Sequence, residues 1–349
     1  MNMWNNQKNR IFRVAFCVFM GLWLVCAQAQ TSHRIIAYNV ENLFDCEDDS
    51  LTRDEGYLPN SMRGWHYKRY QNKLMAISKV VTAISGWDVP MLVGLCEVEN
   101  RRCLEDLCVR GPLRTLALGI EHYESPDRRG IDVALLYNPR VFTVLRSEAS
   151  PVGLKASPRL YTRDILYVKG VVEERDTLHV YLCHFPSRWS GKKETEHLRA
   201  EAASVLREHA DSVSHSCSRA LIVMMGDFND NPSDKSMCQV LGALSSEQRK
   251  DSVALCNLMG PLSERNKGTH YYQGQWSCYD QMIVSPALLD KHSGLQVVGG
   301  EAHIFDADFL LKYDEQYLQQ RPLRTYNGMT YWGGFSDHLP VYIDLEVKQ

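Results

Sequence analysis

The chain reads as an α/β fold, on two observations. Short unbroken apolar runs recur along the chain and stop abruptly at polar residues, as in Ile35–Tyr38, Met91–Cys96 and Leu221–Met225. Such runs, bounded by turn residues, are the pattern of fully buried strands. Between them, Trp65–Ile84 and Glu194–Val213 carry apolar residues at helical spacing, so long amphipathic helices separate the strands.

Ahead of these elements lies a processing signal. Lys8, Arg10 and Arg13 precede an apolar stretch from Val14 to Cys26, and Ala27-Gln28-Ala29 is a small-x-small cleavage site. Residues 1–29 are therefore expected to be a signal peptide of an exported protein, periplasmic or extracellular, and the length of residues 30–349 leaves room for one large domain or two ordinary ones. The apolar stretch is shorter than the about 20 residues a membrane span needs, so no stable membrane insertion is expected after its removal. Losing three cations would take the formal net charge from −3 to −6. That balance argues against a general nucleic-acid-coating protein, because non-specific binding is largely phosphate neutralisation by Lys and Arg. Nine of the eleven cysteines follow the signal, an odd number, and a Cys238–Cys278 disulfide is one expected pairing.

Taken in order, the first strand, Ile35–Tyr38, delivers Asn39 and Glu41 to its end, with a solvated Glu41 as the plainer alternative. The helix over 65–84 turns Tyr70, Leu74, Ile77, Val80, Val81 and Ile84 inward, and its early turns are basic. Pro90–Cys96 is the next strand, and alternation would put Glu97 and Glu99 on one side if it continues. Arg101 opens a helix that ends near Gly111-Pro112. A polar loop, His122–Gly130, contains Glu124 and Asp127 and leads into the strand Ile131–Tyr137. Arg159–Gly170 carries Arg163 into a further strand, and Thr177–Phe185 is a strand with His184 near its end. The basic loop Ser187–Lys193, with Arg188, suits phosphate oxygens. After the second long helix, LIVMM (221–225) runs into Gly226-Asp227-Phe228-Asn229, which places a carboxylate and a carboxamide side by side at a rigid strand end. Pro232–Leu244 suits a short helix. Tyr279–Ser285 is a strand that begins at Asp280, residues 305–331 read as a surface excursion, and Ser336-Asp337-His338 opens the last strand.

The residues that break the apolar pattern are Asn39, Glu97, His184, Asp227, Asn229, Asp280, Asp337 and His338, nearly all at strand termini. Carboxylate and amide oxygens suit Mg²⁺, Mn²⁺ or Ca²⁺, and two His with spare carboxylates suit proton transfer and phosphate contact.

The ordered motifs N-V-E-N (39–42), C-E-V-E-N (96–100), C-H-F (183–185), G-D-F-N (226–229), Y-D-Q-M (279–282) and S-D-H-L-P-V (336–341) resemble the endonuclease/exonuclease/phosphatase superfamily, which includes pancreatic deoxyribonuclease and the abasic-site endonucleases. The resemblance spans about residues 33–346. It implies a four-layer α/β sandwich, two mixed β-sheets packed face to face and flanked by helices. It further implies Glu97 as principal metal ligand with Asn39 and Asp337 close by, and Asp227 and Asn229 as the pair that handles the attacking water. His338 would be oriented by Asp280, and His184 would be a second catalytic histidine partnered by Glu124 or else Asp127. Arg163 would contact phosphate. The cofactor would be Mg²⁺ or Mn²⁺, with Ca²⁺ as a further option.

The foremost reading is thus a secreted, monomeric, metal-dependent phosphodiesterase acting on DNA or RNA. A sphingomyelinase-like or inositol-polyphosphate-phosphatase-like hydrolase is the alternative, on a phospholipid or inositol phosphate; an inactive binding module with the same fold is the third reading. The inositol branch usually has Trp-Cys-Asp-Arg where this chain has Cys278-Tyr279-Asp280-Gln281, which counts against that option.

Overall fold

Successive residues of the apolar runs alternate between two destinations, and this alternation builds the layers. In the computed structural model, which describes residues 31–155, 161–245, 247–248 and 254–348, Ile35 and Ala37 point into the space between two sheets. Their neighbours Ile36 and Tyr38 point outward onto helices. The expected signal peptide lies outside the described residues. His33–Gln349 forms one compact unit.

The first sheet contains β1 (Thr31–Leu43), β2 (Leu92–Val98), β3 (Gly119–His122), β4 (Asp132–Tyr137), β14 (Leu295–Val297), β15 (His303–Ile304) and β20 (Val341–Val347), in the order β14-β20-β1-β2-β4-β3, with β15 also on β20. The second contains β5 (Phe142–Ser150), β6 (Ile165–Val172), β7 (Asp176–His184), β8 (Leu221–Asp227), β9 (Ala243–Leu244), β10 (Leu255–Asn257) and β13 (Asp280–Val284), in the order β5-β6-β7-β8-β13-β10-β9, and β11 (His270–Tyr272) pairs with β12 (Gln275–Ser277) in a separate hairpin. Both are mixed: β1 and β2 run parallel, as do β7 and β8, while β2–β4 and β8–β13 are antiparallel. Helices α1 (Tyr67–Ser85) and α2 (Arg101–Arg110) cover the outside of the first sheet, and α3 (Glu196–Ser216) covers the second. Helix, sheet, sheet, helix is the four-layer sandwich expected from the sequence.

Several expectations change in detail. Pro232–Leu244 forms only one helical turn, Ser236–Leu241, before it enters β9. Residues 305–331 are not featureless: two hairpins, β16 (Leu311–Asp314) with β17 (Gln319–Pro322) and β18 (Tyr326–Asn327) with β19 (Thr330–Tyr331), fold the excursion. Strands of two to four residues are too short to show a period. Cys238 and Cys278 are both free thiols; Cys278 is buried with Sγ toward the Asp280 carbonyl, while Cys238 Sγ points to the Ser233 carbonyl. Among the described residues no helix is long and apolar enough to cross a membrane.

Two glycines set how closely the strands approach. A Cβ on Gly94 would lie 2.7 Å from Leu182 and 2.8 Å from Met225, so β2 can lie this close to the second sheet only without a side chain there. Gly226 has φ +122 and would meet the Cys183 carbonyl oxygen at 2.1 Å. Alanine fits neither the angle nor the space. Gly226→Ala is expected to lower the unfolding free energy by roughly 3 kcal/mol in urea titrations; a loss within about 0.5 kcal/mol, the range of ordinary surface changes, would show that this strand crossing is not tightly held.

Candidate active site

The strand ends that carry the polar motifs meet along one edge of the sandwich. At this edge the backbone leaves regular geometry: Glu41, Asn42, Glu97 and Asn229 all take left-handed φ, between 51° and 67°. Non-glycine residues in that region are strained and concentrate where side chains must be aimed. The register of β2 against β4 shifts between Cys96 and Val98, so Glu97 swings out of the strand pattern. This overturns the expected same-side placement of Glu97 and Glu99. Glu97 Oε2 accepts from Asn42 N at 3.0 Å, whereas Glu99 is buried and accepts from Asp45 N at 2.7 Å.

Asp227, at the end of β8, is the centre of the arrangement. It is 1% exposed, its Oδ2 accepts from Asn39 Nδ2 at 3.0 Å, and its Oδ1 accepts from Asn229 N at 2.8 Å. Two histidines face it: His184 Nε2 lies 3.6 Å and His338 Nε2 3.9 Å from Oδ2. His184 Nε2 is also 3.9 Å from Glu97 Oε1. Asp280, the cross-strand partner of Asp227, accepts from His338 Nδ1 at 2.7 Å. Thr269 Oγ1 in turn accepts from Asp280 N. Ser336 Oγ donates to the Asn39 carbonyl and accepts from His338 N, locking the segment before β20 onto β1. Asn229 donates its side-chain amide to the Phe185 carbonyl at 3.1 Å.

These surroundings drive the two histidines apart. Burial disfavours the imidazolium of His338, but Asp280, Asp227 and Asp337 outweigh it and raise its pKa well above the usual value. His184 is pushed well below it, by burial first and then by Arg163, Arg129 and His338. At neutral pH one ring is charged and the other neutral. Asp227 rises to about 6, chiefly through burial and Asp280, with His338 and its hydrogen bonds opposing.

Asp337 joins the site through a charge network. Arg324 Nη2 donates to Asp337 Oδ2 at 2.8 Å and lies 3.0 Å from Glu41 Oε1. Glu41 Oε2 accepts from Thr325 N at 2.6 Å, and buried Lys73 donates to Thr325 Oγ1 and the Phe335 carbonyl. Glu41 is thus 4% exposed rather than solvated, because Arg324 and the Thr325 amide enclose it. His270 stacks on Tyr279 with centroids 5.3 Å apart and meets His338 at a tilt of 48°, centroids 4.7 Å apart. His270, Asp337 and His338 bring one ligand atom each within 4.8 Å of one another. Sequence reasoning passed over His270, Lys73 and Arg324, since none sits at the end of an apolar run.

Three expected contacts fail. Neither Glu124 nor Asp127 partners His184: Glu124 lies with His122 and Asp132, and Asp127 Oδ2 accepts from Arg163 Nη1 at 3.0 Å. His184 Nδ1 is buried without a hydrogen-bond partner among the described residues. Arg163 is not aimed at phosphate, because its remaining donors go to the His184 and Phe185 carbonyls; it braces the end of β7. Arg188 is likewise turned away, donating to the Asn229 carbonyl, Asp230 and Asp234 with Tyr279 beneath its guanidinium.

The donor set suits a hard divalent cation. Glu97 is a partly exposed carboxylate whose nearest basic atom is the neutral ring of His184, and Asn39 and Asp337 add oxygens from the adjoining strand ends. Two of these oxygens are already engaged, Asn39 Oδ1 by Glu41 N and Asp337 Oδ2 by Arg324.

A model of the Endonuclease/Exonuclease/phosphatase family matches residues 34–347. No protein of curated function matches the chain. Among solved structures, D. rerio TDP2 complexed with single-strand DNA product superimposes with TM-score 0.55 at 14% identity, covering 90% of this chain and 99% of that one. The human Nocturnin catalytic domain with bound sulfate gives 0.54 at 14%, covering 92% and 97%. An endonuclease/exonuclease/phosphatase family protein from Bacteroides thetaiotaomicron gives 0.54 at 15%, covering 91% and 99%. At these identities the likeness is one of fold.

Two outcomes follow from this geometry. Arg163→Met, which strands Asp127 in a buried position, is expected to lower the unfolding free energy by about 3 kcal/mol, measured in urea; unchanged stability with a raised KM would restore Arg163 to a phosphate contact. Burial above all, with Asp45 and Asp54, pushes Glu99 up to about 8. A carboxyl raised on folding contributes stability below its unfolded value that is lost as pH rises through 8. Glu99→Gln should flatten the decline in Tm between about pH 5 and pH 8; parallel pH profiles for the two proteins would refute the assignment.

Proposed function

Because the chain belongs to the endonuclease/exonuclease/phosphatase family, whose members are metal-dependent phosphodiesterases and nucleases, we propose that it is an exported nuclease that hydrolyses phosphodiester bonds of DNA or RNA. One observation supports this reading most: Asp227 sits between two histidines of opposite charge preference, beside Glu97. Cleaving a phosphodiester requires positive charge against an anionic centre and a positioned water. Glu97, with Asn39 and Asp337 beside it, would hold a divalent ion, Mg²⁺ or Mn²⁺ in our reading, which supplies positive charge to the phosphoryl oxygens.

The chain's own groups divide the remaining work. Asp227, fixed by Asn39 and by the Asn229 amide, is ionised at neutral pH and accepts the proton of the attacking water. The His338 imidazolium, oriented by Asp280, donates to the phosphate or the leaving oxygen. His184 remains neutral and contributes a ring nitrogen rather than a charge. Trp189 at 96% exposed and Tyr272 at 67% present aromatic faces suited to unstacked bases. D. rerio TDP2, with the same fold, is described with a single-strand DNA product. The apolar run at 14–26 and the cleavage pattern at 27–29 support export, and we read the mature protein as a monomer.

Incubating the mature protein with plasmid DNA, RNA, sphingomyelin and inositol phosphates, with and without Mg²⁺, tests the substrate class. DNA or RNA should be cut, only with the metal; cleavage of sphingomyelin or inositol phosphates alone would replace the nuclease reading. Glu97→Gln should lower kcat by about 10³-fold, comparable to losing a preorganised electrostatic group. Its unfolding free energy should stay within about 0.5 kcal/mol of wild type. Wild-type turnover in this variant would remove Glu97 from the site.

A further inference from the structure

Beyond the Glu97 centre, we propose that His122, Glu124 and Asp132 form a second metal site, one that takes a borderline divalent ion such as Zn²⁺. His122 closes β3 and Asp132 opens β4, so neighbouring strand ends bring them together, and Glu124 follows two residues after His122. One ligand atom from each lies within 4.8 Å of the others. His122 Nε2 is 3.3 Å from Asp132 Oδ2, and Nδ1 is 3.9 Å from Glu124 Oε1.

The imidazole carries the second observation. Its side chain is 2% exposed, yet among the described residues Nε2 is buried without a hydrogen-bond partner despite the nearby carboxylate. Asp132 Oδ1 is occupied by Ser125 N at 2.9 Å and by Ser125 Oγ, which leaves Oδ2 facing the ring. A separation of 3.3 Å is what two ligands of one tetrahedral ion show when each bond is about 2.0–2.2 Å. An imidazole with two carboxylates suits Zn²⁺ or Mn²⁺, whereas Mg²⁺ and Ca²⁺ favour all-oxygen sets. The exposed Glu124 lines a cavity of about 580 Å³, which gives an ion a way in.

The position links the site to the chemistry. The loop between β3 and β4 carries Asp127, which holds Arg163, which in turn holds the His184 carbonyl. Arg128 O on the same loop accepts from Arg53 N at 2.8 Å. An ion joining the loop's two ends would stiffen the support of His184.

The experiment titrates Zn²⁺ into metal-depleted full-length protein in excess Mg²⁺, with bound zinc read by mass spectrometry and affinity by calorimetry. Wild type and Glu97→Gln should bind one zinc that His122→Asn loses and that Glu124→Gln binds about 10–100-fold more weakly. Glu124 is surface-exposed, so that variant separates ligation from folding. Equal zinc binding in all four proteins, no zinc in wild type, loss in Glu97→Gln, or an effect of His122→Asn without one of Glu124→Gln would each overturn the site and leave an ordinary His–Asp pair.

Discussion

The hydrogen bond from Asn39 to Asp227 joins the two sheets at the point where the chemistry is placed. Asn39 belongs to β1 of the first sheet and Asp227 ends β8 of the second, 188 residues later in the chain. A carboxylate 1% exposed is costly unless its oxygens are satisfied, and here one donor comes from the first sheet and one from its own turn. The close approach that permits this depends on Gly94 and Gly226, whose bare backbones let the sheets and strands meet. Core packing and site geometry are therefore one problem: the apolar interior sets the spacing, and the polar strand ends use it.

The strain at the site follows the same logic. Left-handed backbone at Glu41, Asn42, Glu97 and Asn229 costs of order 1–3 kcal/mol at each residue, and it survives because surrounding contacts hold each side chain. Each strained residue directs a polar group toward the edge where the two sheets meet, or supports one that does. Arg163, Thr269 and Ser336 then fix the elements from behind, through the His184 carbonyl, the Asp280 amide and the Asn39 carbonyl.

Much of this was legible in the sequence. Buried strands end in abrupt polar residues, so Asn39, Glu97, His184, Asp227, Asp280 and His338 announced themselves by breaking an apolar run, and the structure brings them to one edge. What the sequence did not carry was direction. The bulge that turns Glu97 out and sends Glu99 inward leaves no trace in a two-residue alternation. Arg163 and Arg188 look alike as surface cations, yet both are consumed by carbonyls and carboxylates that only the folded loops bring near. Glu41 reads as a solvated acid until Arg324, 283 residues away, closes over it. The excursion over 305–331 has no period because its hairpins are short, and it hid Arg324.

Asn39 and Asp227 are physically coupled across the sandwich. A double-mutant cycle in urea, comparing Asn39→Ala, Asp227→Asn and the double variant with wild type, measures this directly. A buried hydrogen bond to a charged group predicts a coupling energy of about 1.5–3 kcal/mol. Losses that add to within about 0.5 kcal/mol would mean that the two strand ends do not share a site.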